Sequence, residues 1–210
     1  GVVRGRGLSH HRRIAYSIQI GQPATSRAPT RVASTWRQWV PFGAVCASYL
    51  ATTTGESLLA PIAPMAGDDL GFDLDGAGVA FFVLAASIAV SNVVGGVLLR
   101  WWRANRVIAA ALALTACGGA VSATAQSLPW LLGGQVLIGA GAGCLYPAAM
   151  MSIGVYAGER RRGLAIGIFG VAFSGGLALA AGLAAIGARL DWRWGFVFGV
   201  VLAVLAACGL

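Results

Sequence analysis

The arginines of this chain lie between long apolar stretches, and this placement restricts the fold more than any other feature. Each stretch is long enough to cross a bilayer, which takes a helix of about 20 apolar residues. The gap at 100–106 holds Arg100, Arg103 and Arg106, and the gap at 158–163 holds three more arginines. The gap at 67–76 has four aspartates and no arginine. Because Arg-rich loops stay in the cytoplasm, this alternation predicts a multi-pass membrane protein with a cytoplasmic N-terminus.

The composition agrees with a membrane protein. Only 10% of the 210 residues are charged and 58% are hydrophobic, whereas soluble domains carry about a quarter charged residues. A net charge of +8 would suggest a nucleic-acid partner in a soluble protein. Here the arginines of the N-terminal tail and of the two basic gaps account for it, so we expect the lipid bilayer and no nucleic acid. Four separated cysteines and two adjacent histidines predict no metal site, and we expect no cofactor.

The sequence divides into a tail and a helical bundle. Residues 1–37 are rich in Gly, Ser, Pro and Arg, which predicts a disordered basic cytoplasmic tail. Residues 38–210 predict an all-α bundle of six transmembrane helices, with all seven tryptophans at span ends. The predicted spans are 39–64, 76–99, 107–125, 131–156, 164–188 and 195–210. The sixth is short and still apolar at Leu210, so we expect a truncated span and a longer parent protein.

Three short motifs resemble the N-terminal half of a major facilitator superfamily transporter. Residues 95–103, with Gly96, Arg100 and Arg103, stand where that family has a Gly-x-Leu-x-Asp-Arg-x-Gly-Arg loop between spans two and three. Residues 135–142 stand where it has Arg-x-x-Gln-Gly-x-Gly in span four, and residues 191–196 are similar to the Trp-Arg-aromatic run that opens span six. The resemblance implies a 3+3 inverted repeat and a missing C-terminal six-span half. Arg100 takes the Asp position of the loop, and Gln135 takes the Arg position of span four.

Glu56 is the only acidic residue inside a predicted span. An ionisable group within the bilayer costs about 2.5–3.5 kcal/mol on insertion scales, so it usually faces a bundle interior or a wet cavity. Tyr49, Thr52 and Thr53 lie near the same helix face and form a polar stripe with Glu56. We interpret Glu56 as a proton- or cation-binding carboxylate in a solute cavity. The alternative is a carboxylate buried in its neutral form and hydrogen-bonded to another span.

Spans two, four and five carry further candidates. Gln135, Gly139, Gly143 and Pro147 recur every four residues and line one face of span four. The side chain of Gln135 is expected either to bind the solute or to link two helices. Tyr146 and Pro147 interrupt the apolar run, and broken helices often mark transporter sites. Asn92 lies beside a small-residue stripe on span two and is a candidate for either role. The small-residue face of span five, which includes Gly163, Gly167 and Gly170, predicts helix packing.

These features predict a secondary transporter of the plasma membrane rather than an enzyme, because the spans lack clustered catalytic side chains. Alternating access would move a small solute past Glu56, Tyr49, Thr52, Asn92, Gln135 and Tyr146. We expect proton-coupled efflux of a lipophilic or cationic compound. The alternatives are a uniporter or symporter of another small solute, and a non-transporting six-span fragment or partner subunit. Gly96, Arg100, Arg103 and Arg106 form the candidate loop motif between spans two and three, and the run of Arg160, Arg161 and Arg162 is expected to anchor the topology.

Overall fold

The computed structural model describes residues 35–210, with the side chains of residues 40–156 and 161–210. Residues 1–34 of the predicted tail therefore lie outside the described residues, whereas its last three residues belong to the first turn of a helix. Helices, joined by short turns, make up the described part of the chain, which contains no strand. The helices are α1 (Thr35–Ser57), α2 (Leu59–Leu70), α3 (Leu74–Leu98), α4 (Ala104–Ala123), α5 (Leu128–Gly187) and α6 (Arg193–Cys208). The all-α fold class is confirmed.

Four helical segments are long and apolar enough to cross a membrane, and they coincide with predicted spans two to five. They are Leu74–Leu98, Ala104–Ala123, Leu128–Tyr156 and Arg161–Gly187. Predicted span six corresponds to the shorter apolar helix Arg193–Cys208. The count of six spans and the inverted repeat stay predictions, because the first and last segments do not meet the same criterion of length and composition within the described residues.

Helix α5 contains two spans that fold back on each other. We call Leu128–Tyr156 segment α5a and Arg161–Gly187 segment α5b. The ring centroids of Tyr146 and Phe169 are 6.5 Å apart. In a straight helix these residues, 23 positions apart, would be separated by about 35 Å at about 1.5 Å per residue. The chain therefore reverses direction between the two segments, as two successive spans require.

The first predicted span is longer than expected and is interrupted. It was expected at 39–64, but the helical backbone runs from Thr35 to Leu70 and is broken at Leu58. Pro61 has no backbone N–H and cannot donate the regular helical bond to the Ser57 carbonyl, which ends α1 there. As the third residue of α2, Pro61 is tolerated, because N–H groups in the first turn of a helix have no partner within it. The interruption predicted at Pro147 is wrong, since Pro147 lies inside α5.

The two ends of the bundle carry opposite charge. Ala125, after α4, and Arg193, at the start of α6, meet Asp69 of α2 at what we call the acidic end. The turn between α2 and α3 at this end is shorter than the predicted gap of 67–76. Gly71 ends α2 in the left-handed conformation (φ 72°). Asp73 caps α3, because its side chain accepts a hydrogen bond from the Gly76 N–H at 3.1 Å. The opposite, basic end holds residues 100–106.

Two apolar clusters fill the bundle, one toward each end. The cluster toward the basic end includes Val45, Ala51 and Ile108, and the cluster toward the acidic end includes Leu58 and Phe196. Residues 52–57 of α1 lie along the chain between the two clusters, so the polar stripe of the first span passes the middle of the bundle. A polar stretch between two apolar layers is where a solute site is expected in a transporter bundle.

Glycines bring the spans together at two seams around α5a. A side chain on Gly143 would meet Ser91 Cβ at 2.7 Å in α3, and one on Gly118 would meet the backbone N of Ile138 at 2.6 Å. These backbones therefore pack directly against each other, as small residues allow in membranes. The glycine face predicted on span five behaves differently: Gly163, Gly167 and Gly170 have open space beside them within the described residues. No described helix packs against that face, so the packing predicted for it stays a prediction.

Candidate functional site

Glu56 lies in the last turn of α1, two residues before the break at Leu58. Its residue is only partly exposed, and its carboxylate forms no hydrogen bond or ion pair with any described side chain or backbone group. The hydroxyl of Tyr49, two turns earlier on the same helix, lies within electrostatic range of this carboxylate. A carboxylate that is hydrogen-bonded to another span is therefore not present among the described residues, and the binding of a proton or a cation by Glu56 stays a prediction.

The hydroxyl groups near Glu56 are of two kinds. Ser48 and Thr54 donate to the carbonyls of Ala44 and Leu50, both at 2.8 Å, so their hydroxyls are bound to their own helix. The Thr52 hydroxyl is buried and has no hydrogen-bond partner among the described residues. A buried polar group without a partner costs about 1–3 kcal/mol. One turn from Glu56, the Thr52 hydroxyl therefore leaves hydrogen-bonding capacity unused inside the described bundle, as does the hydroxyl of Thr53.

Four aromatic rings from three segments meet beside the polar stripe. Tyr49 of α1 stacks on Phe169 of α5b with ring centroids 3.9 Å apart and planes 15° from parallel. Phe173, one turn along α5b, lies 6.1 Å from Tyr49, and Tyr146 of α5a lies 6.2 Å from it. These four rings line an open groove of about 240 Å³ together with Met150, Ile166 and Gly170. We call it the aromatic groove.

The sequence analysis did not identify Phe169 and Phe173 as part of the site. Their spacing of four residues puts both rings on one face of α5b, which is the signal that could have indicated them. The glycine face predicted to pack against another helix contributes here as well, because Gly170 leaves space beside the rings. Both features became informative only once α5b was placed against Tyr49.

Gln135 lies apart from the aromatic groove, in the seam between α4 and α5a. It is fully buried, and its amide nitrogen donates to the Ser122 hydroxyl at 3.3 Å. Its amide oxygen has no hydrogen-bond partner among the described residues. This placement favours the alternative in which Gln135 ties two helices. A role in solute binding stays a prediction.

Asn92 and the loop motif are also separate from the aromatic groove. The backbone N of Asn92 would lie 2.9 Å from a side chain on Gly143, so Asn92 borders the seam between α3 and α5a. In the loop motif, Gly96 has open space beside it, whereas a side chain on Gly95 would meet Cys144 Cα at 2.7 Å. Arg100, Arg103 and Arg106 are exposed at the basic end. Of the predicted site residues, the structure brings together Tyr49, Thr52, Glu56 and Tyr146.

A second polar cluster ties three helices at the acidic end. The guanidinium group of Arg193 contacts the Asp69 carboxylate at 2.8 Å and donates to the Ala125 carbonyl at 2.9 Å. It lies 4.5 Å from the ring centroid of Trp192, whose indole N–H donates to Asp69 at 3.2 Å. Trp192 lies at a span end, as predicted, but it is packed within the bundle and 5% exposed, whereas Trp101 is 71% exposed.

Comparison with known proteins decides the family. The sequence model of the Major Facilitator Superfamily matches residues 45–210, which is most of the chain. The chain belongs to this superfamily. It is therefore a multi-pass membrane protein of a transporter family rather than of an enzyme family, and the aromatic groove lies in a transporter bundle.

A curated relative gives a narrower comparison. The chain is 29% identical over 110 residues to mouse (Mus musculus) solute carrier family 2, facilitated glucose transporter member 10. The matched region covers 52% of this chain and 20% of the relative, so the chain spans about a fifth of the relative's length.

Proposed function

We propose that this superfamily member is a secondary transporter that works by alternating access and moves a lipophilic or cationic solute out of the cell in exchange for protons. The observation that carries the proposal is the carboxylate of Glu56, which lacks a partner among the described residues and lies within electrostatic range of Tyr49. Aromatic faces bind cations with about 0.5–2 kcal/mol each, and a carboxylate adds a charge of the opposite sign.

The same carboxylate is proposed to couple transport to protons. A carboxylate that stays charged between apolar helices raises the free energy of the protein. Either a proton or a cationic solute neutralises the charge of Glu56, and the two therefore compete for the same site. Exchange of the two at one site gives antiport without a second ionisable group. The break of the first span at Leu58, caused by Pro61, leaves this segment able to bend as the bundle changes state.

The open aromatic groove supports a second bundle as partner. Tyr146 is 44% exposed and Phe173 is 40% exposed, so aromatic surface faces away from the described helices. We propose that a second six-span half covers this face and completes the solute cavity. The plasma membrane and a cytoplasmic basic end are part of the proposal, on the basis of the arginine distribution.

Transport by reconstituted protein tests the proposal. Vesicles with a proton gradient would be assayed for uptake of radiolabelled tetraphenylphosphonium, a lipophilic cation, with wild-type protein and Glu56→Gln. We expect gradient-driven uptake by the wild type and a loss on the order of a hundredfold in the variant, because the amide binds neither a proton nor a cation. Asp75→Asn, which removes an exposed carboxylate at the acidic end, is the matched control and should transport like the wild type. Equal transport by Glu56→Gln and wild type at every pH would end the proposal.

A second candidate is passive transport of a polyhydroxylated solute. It is favoured by the similarity to a facilitated glucose transporter and by the unpartnered hydroxyl of Thr52 next to stacked aromatic rings. The same vesicles would be assayed with radiolabelled D-glucose and without a gradient. Saturable glucose uptake that survives Glu56→Gln and is reduced in Thr52→Val favours this candidate over proton-coupled efflux.

A further inference from the structure

A second groove of the described bundle lies at the basic end, away from the aromatic groove. It has a volume of about 480 Å³ and lies between the start of α4 and the end of α5a. Its lining divides into a polar side at the start of α4, with Arg103, Asn105 and Arg106, and a mainly apolar side on α5a, with Met151 and Val155 beside Ser152 and Tyr156. The proposed transport function makes no use of this groove.

The polar side of the groove is suited to a phosphate group. Arg103 and Arg106 form no ion pair with any carboxylate among the described residues, so both guanidinium groups are available. Arginine binds phosphate with two parallel hydrogen bonds, and none of the residues that the structure describes along the groove is acidic and could compete with a phosphate. The groove also lies at the first turn of α4, which begins at Ala104, and the N-terminus of a helix favours an anion.

The apolar side identifies the source of the phosphate. Met151 is 49% exposed and Val155 is 71% exposed, so an apolar wall continues from the groove onto the outer surface of α5a. Trp101 and Trp102, just before α4, are 71% and 48% exposed, as indole rings are at the level of lipid head groups. A soluble phosphate would use only the arginines, whereas a phospholipid would use both sides.

We propose that this groove binds the phosphate of an anionic phospholipid, with Arg103 and Arg106 on the head group and Met151 and Val155 against the first carbons of an acyl chain. The lipid bridges the start of α4 and the end of α5a, where the seam between these segments reaches the basic end. The site is distinct from the proposed solute site and does not depend on it.

Native mass spectrometry tests the site directly. The full chain in detergent would be titrated with dioleoyl phosphatidylglycerol, comparing wild type, R103Q/R106Q and the control R161Q/R162Q. The control removes the same charge from exposed arginines that do not line the groove. We expect the first lipid to bind on the order of tenfold more weakly in R103Q/R106Q and with unchanged affinity in the control. The proposal is overturned if the affinity for the first lipid falls equally in both variants, or if it falls in neither of them.

Two further ligands distinguish a phospholipid from a soluble anion as the source of the phosphate in the groove. Dioleoyl phosphatidylcholine, which has the same chains and phosphate but no net charge, should bind more weakly than phosphatidylglycerol, and equal binding overturns the charge argument. An excess of inorganic phosphate should leave the lipid bound, because it cannot contact Met151 and Val155. Complete displacement of the lipid by inorganic phosphate overturns the lipid as occupant and assigns the groove to a soluble anion.

A variant in the apolar wall keeps the test decisive if R103Q/R106Q does not fold. Val155→Glu leaves both arginines in place and puts a negative charge in the groove at an exposed position. It should weaken phosphatidylglycerol binding as R103Q/R106Q does, whereas Val155→Leu should not. Val155→Glu that binds phosphatidylglycerol as tightly as the wild type overturns the proposal, because the added carboxylate would repel a phosphate in the groove.

Discussion

At the residue scale, Tyr49 connects the two parts of the candidate site. Its hydroxyl lies within electrostatic range of the Glu56 carboxylate, and its ring stacks on Phe169 at 3.9 Å. The hydroxyl therefore belongs to the polar stripe and the ring to the aromatic groove. Substitutions that remove one or both parts separate their contributions.

We expect Tyr49→Phe to fold like the wild type and to transport with a KM raised several-fold, because stacking is kept and only the hydroxyl is lost. Tyr49→Ala should also lose about 2 kcal/mol of stability, since it removes a half-buried ring from an aromatic cluster. Thermal unfolding and transport kinetics of both variants check this. A Tyr49→Ala variant as stable and active as the wild type would contradict the role assigned to the ring.

Arg193 is the residue that joins three helices at the acidic end. Arg193→Ala removes the ion pair with Asp69, the bond to the Ala125 carbonyl and the stacking on Trp192. The ion pair is partly exposed, with 30% and 46% of the two side chains accessible, so we expect a loss of only about 1 kcal/mol.

Thermal unfolding in detergent at low and high salt measures this effect. The control is Arg189→Ala, which removes the same charge from an exposed position at the same end. It forms no ion pair or hydrogen bond through its side chain with the described residues. Equal destabilisation by both substitutions would show that the net charge of this end matters rather than the cluster around Arg193.

At the element scale, the seam between α3 and α5a depends on the absence of a side chain at Gly143. A methyl group there would come 2.7 Å from Ser91 Cβ and 2.9 Å from the Asn92 backbone N. Backbone atoms cannot move aside as the end of a flexible side chain can, so the helices would have to separate. Gly143 is therefore one of the glycines, together with Gly95 and Gly139, that allow these two helices to cross closely.

We expect Gly143→Ala to lower stability by about 1–3 kcal/mol through overpacking. Gly154→Ala is the matched control, because Gly154 is on the same segment with open space beside it within the described residues. This control should be neutral or slightly stabilising, since Ala has the higher helix propensity. Comparable thermal unfolding of the two variants would show that the seam tolerates a wider separation.

At the scale of the whole molecule, the described bundle leaves its aromatic groove open. We expect the transporting unit to contain two such bundles, either in one polypeptide or as a dimer, with a protein mass about twice the 21.4 kDa of this chain. Light scattering after size-exclusion chromatography of active protein checks this expectation. Transport by a unit of 21.4 kDa would contradict the proposal of a second half and would require the groove to be closed by lipid alone.

The helical architecture followed from the sequence because each span interacts with the bilayer on its own. Apolar length, arginine-rich gaps and the Trp-Arg run are local properties, and they located spans two to five to within about three residues. The motifs and gaps together were also sufficient to identify the superfamily. Glu56 and Tyr49 could be paired from helical spacing alone, since both lie on α1.

The partners of each helix face were decided only by the tertiary structure. Phe169, Gly170 and Gln135 lie in apolar or small-residue segments whose local pattern is the same whether a face packs, opens or binds. Folding α5b back on α5a placed Phe169 on Tyr49, while the close approach of α4 and α5a placed Gln135 against Ser122. The sequence by itself determined which segments enter the membrane, because that depends on transfer from water to lipid. Their contacts depend on the shapes of surfaces distant in sequence, which no local pattern encodes.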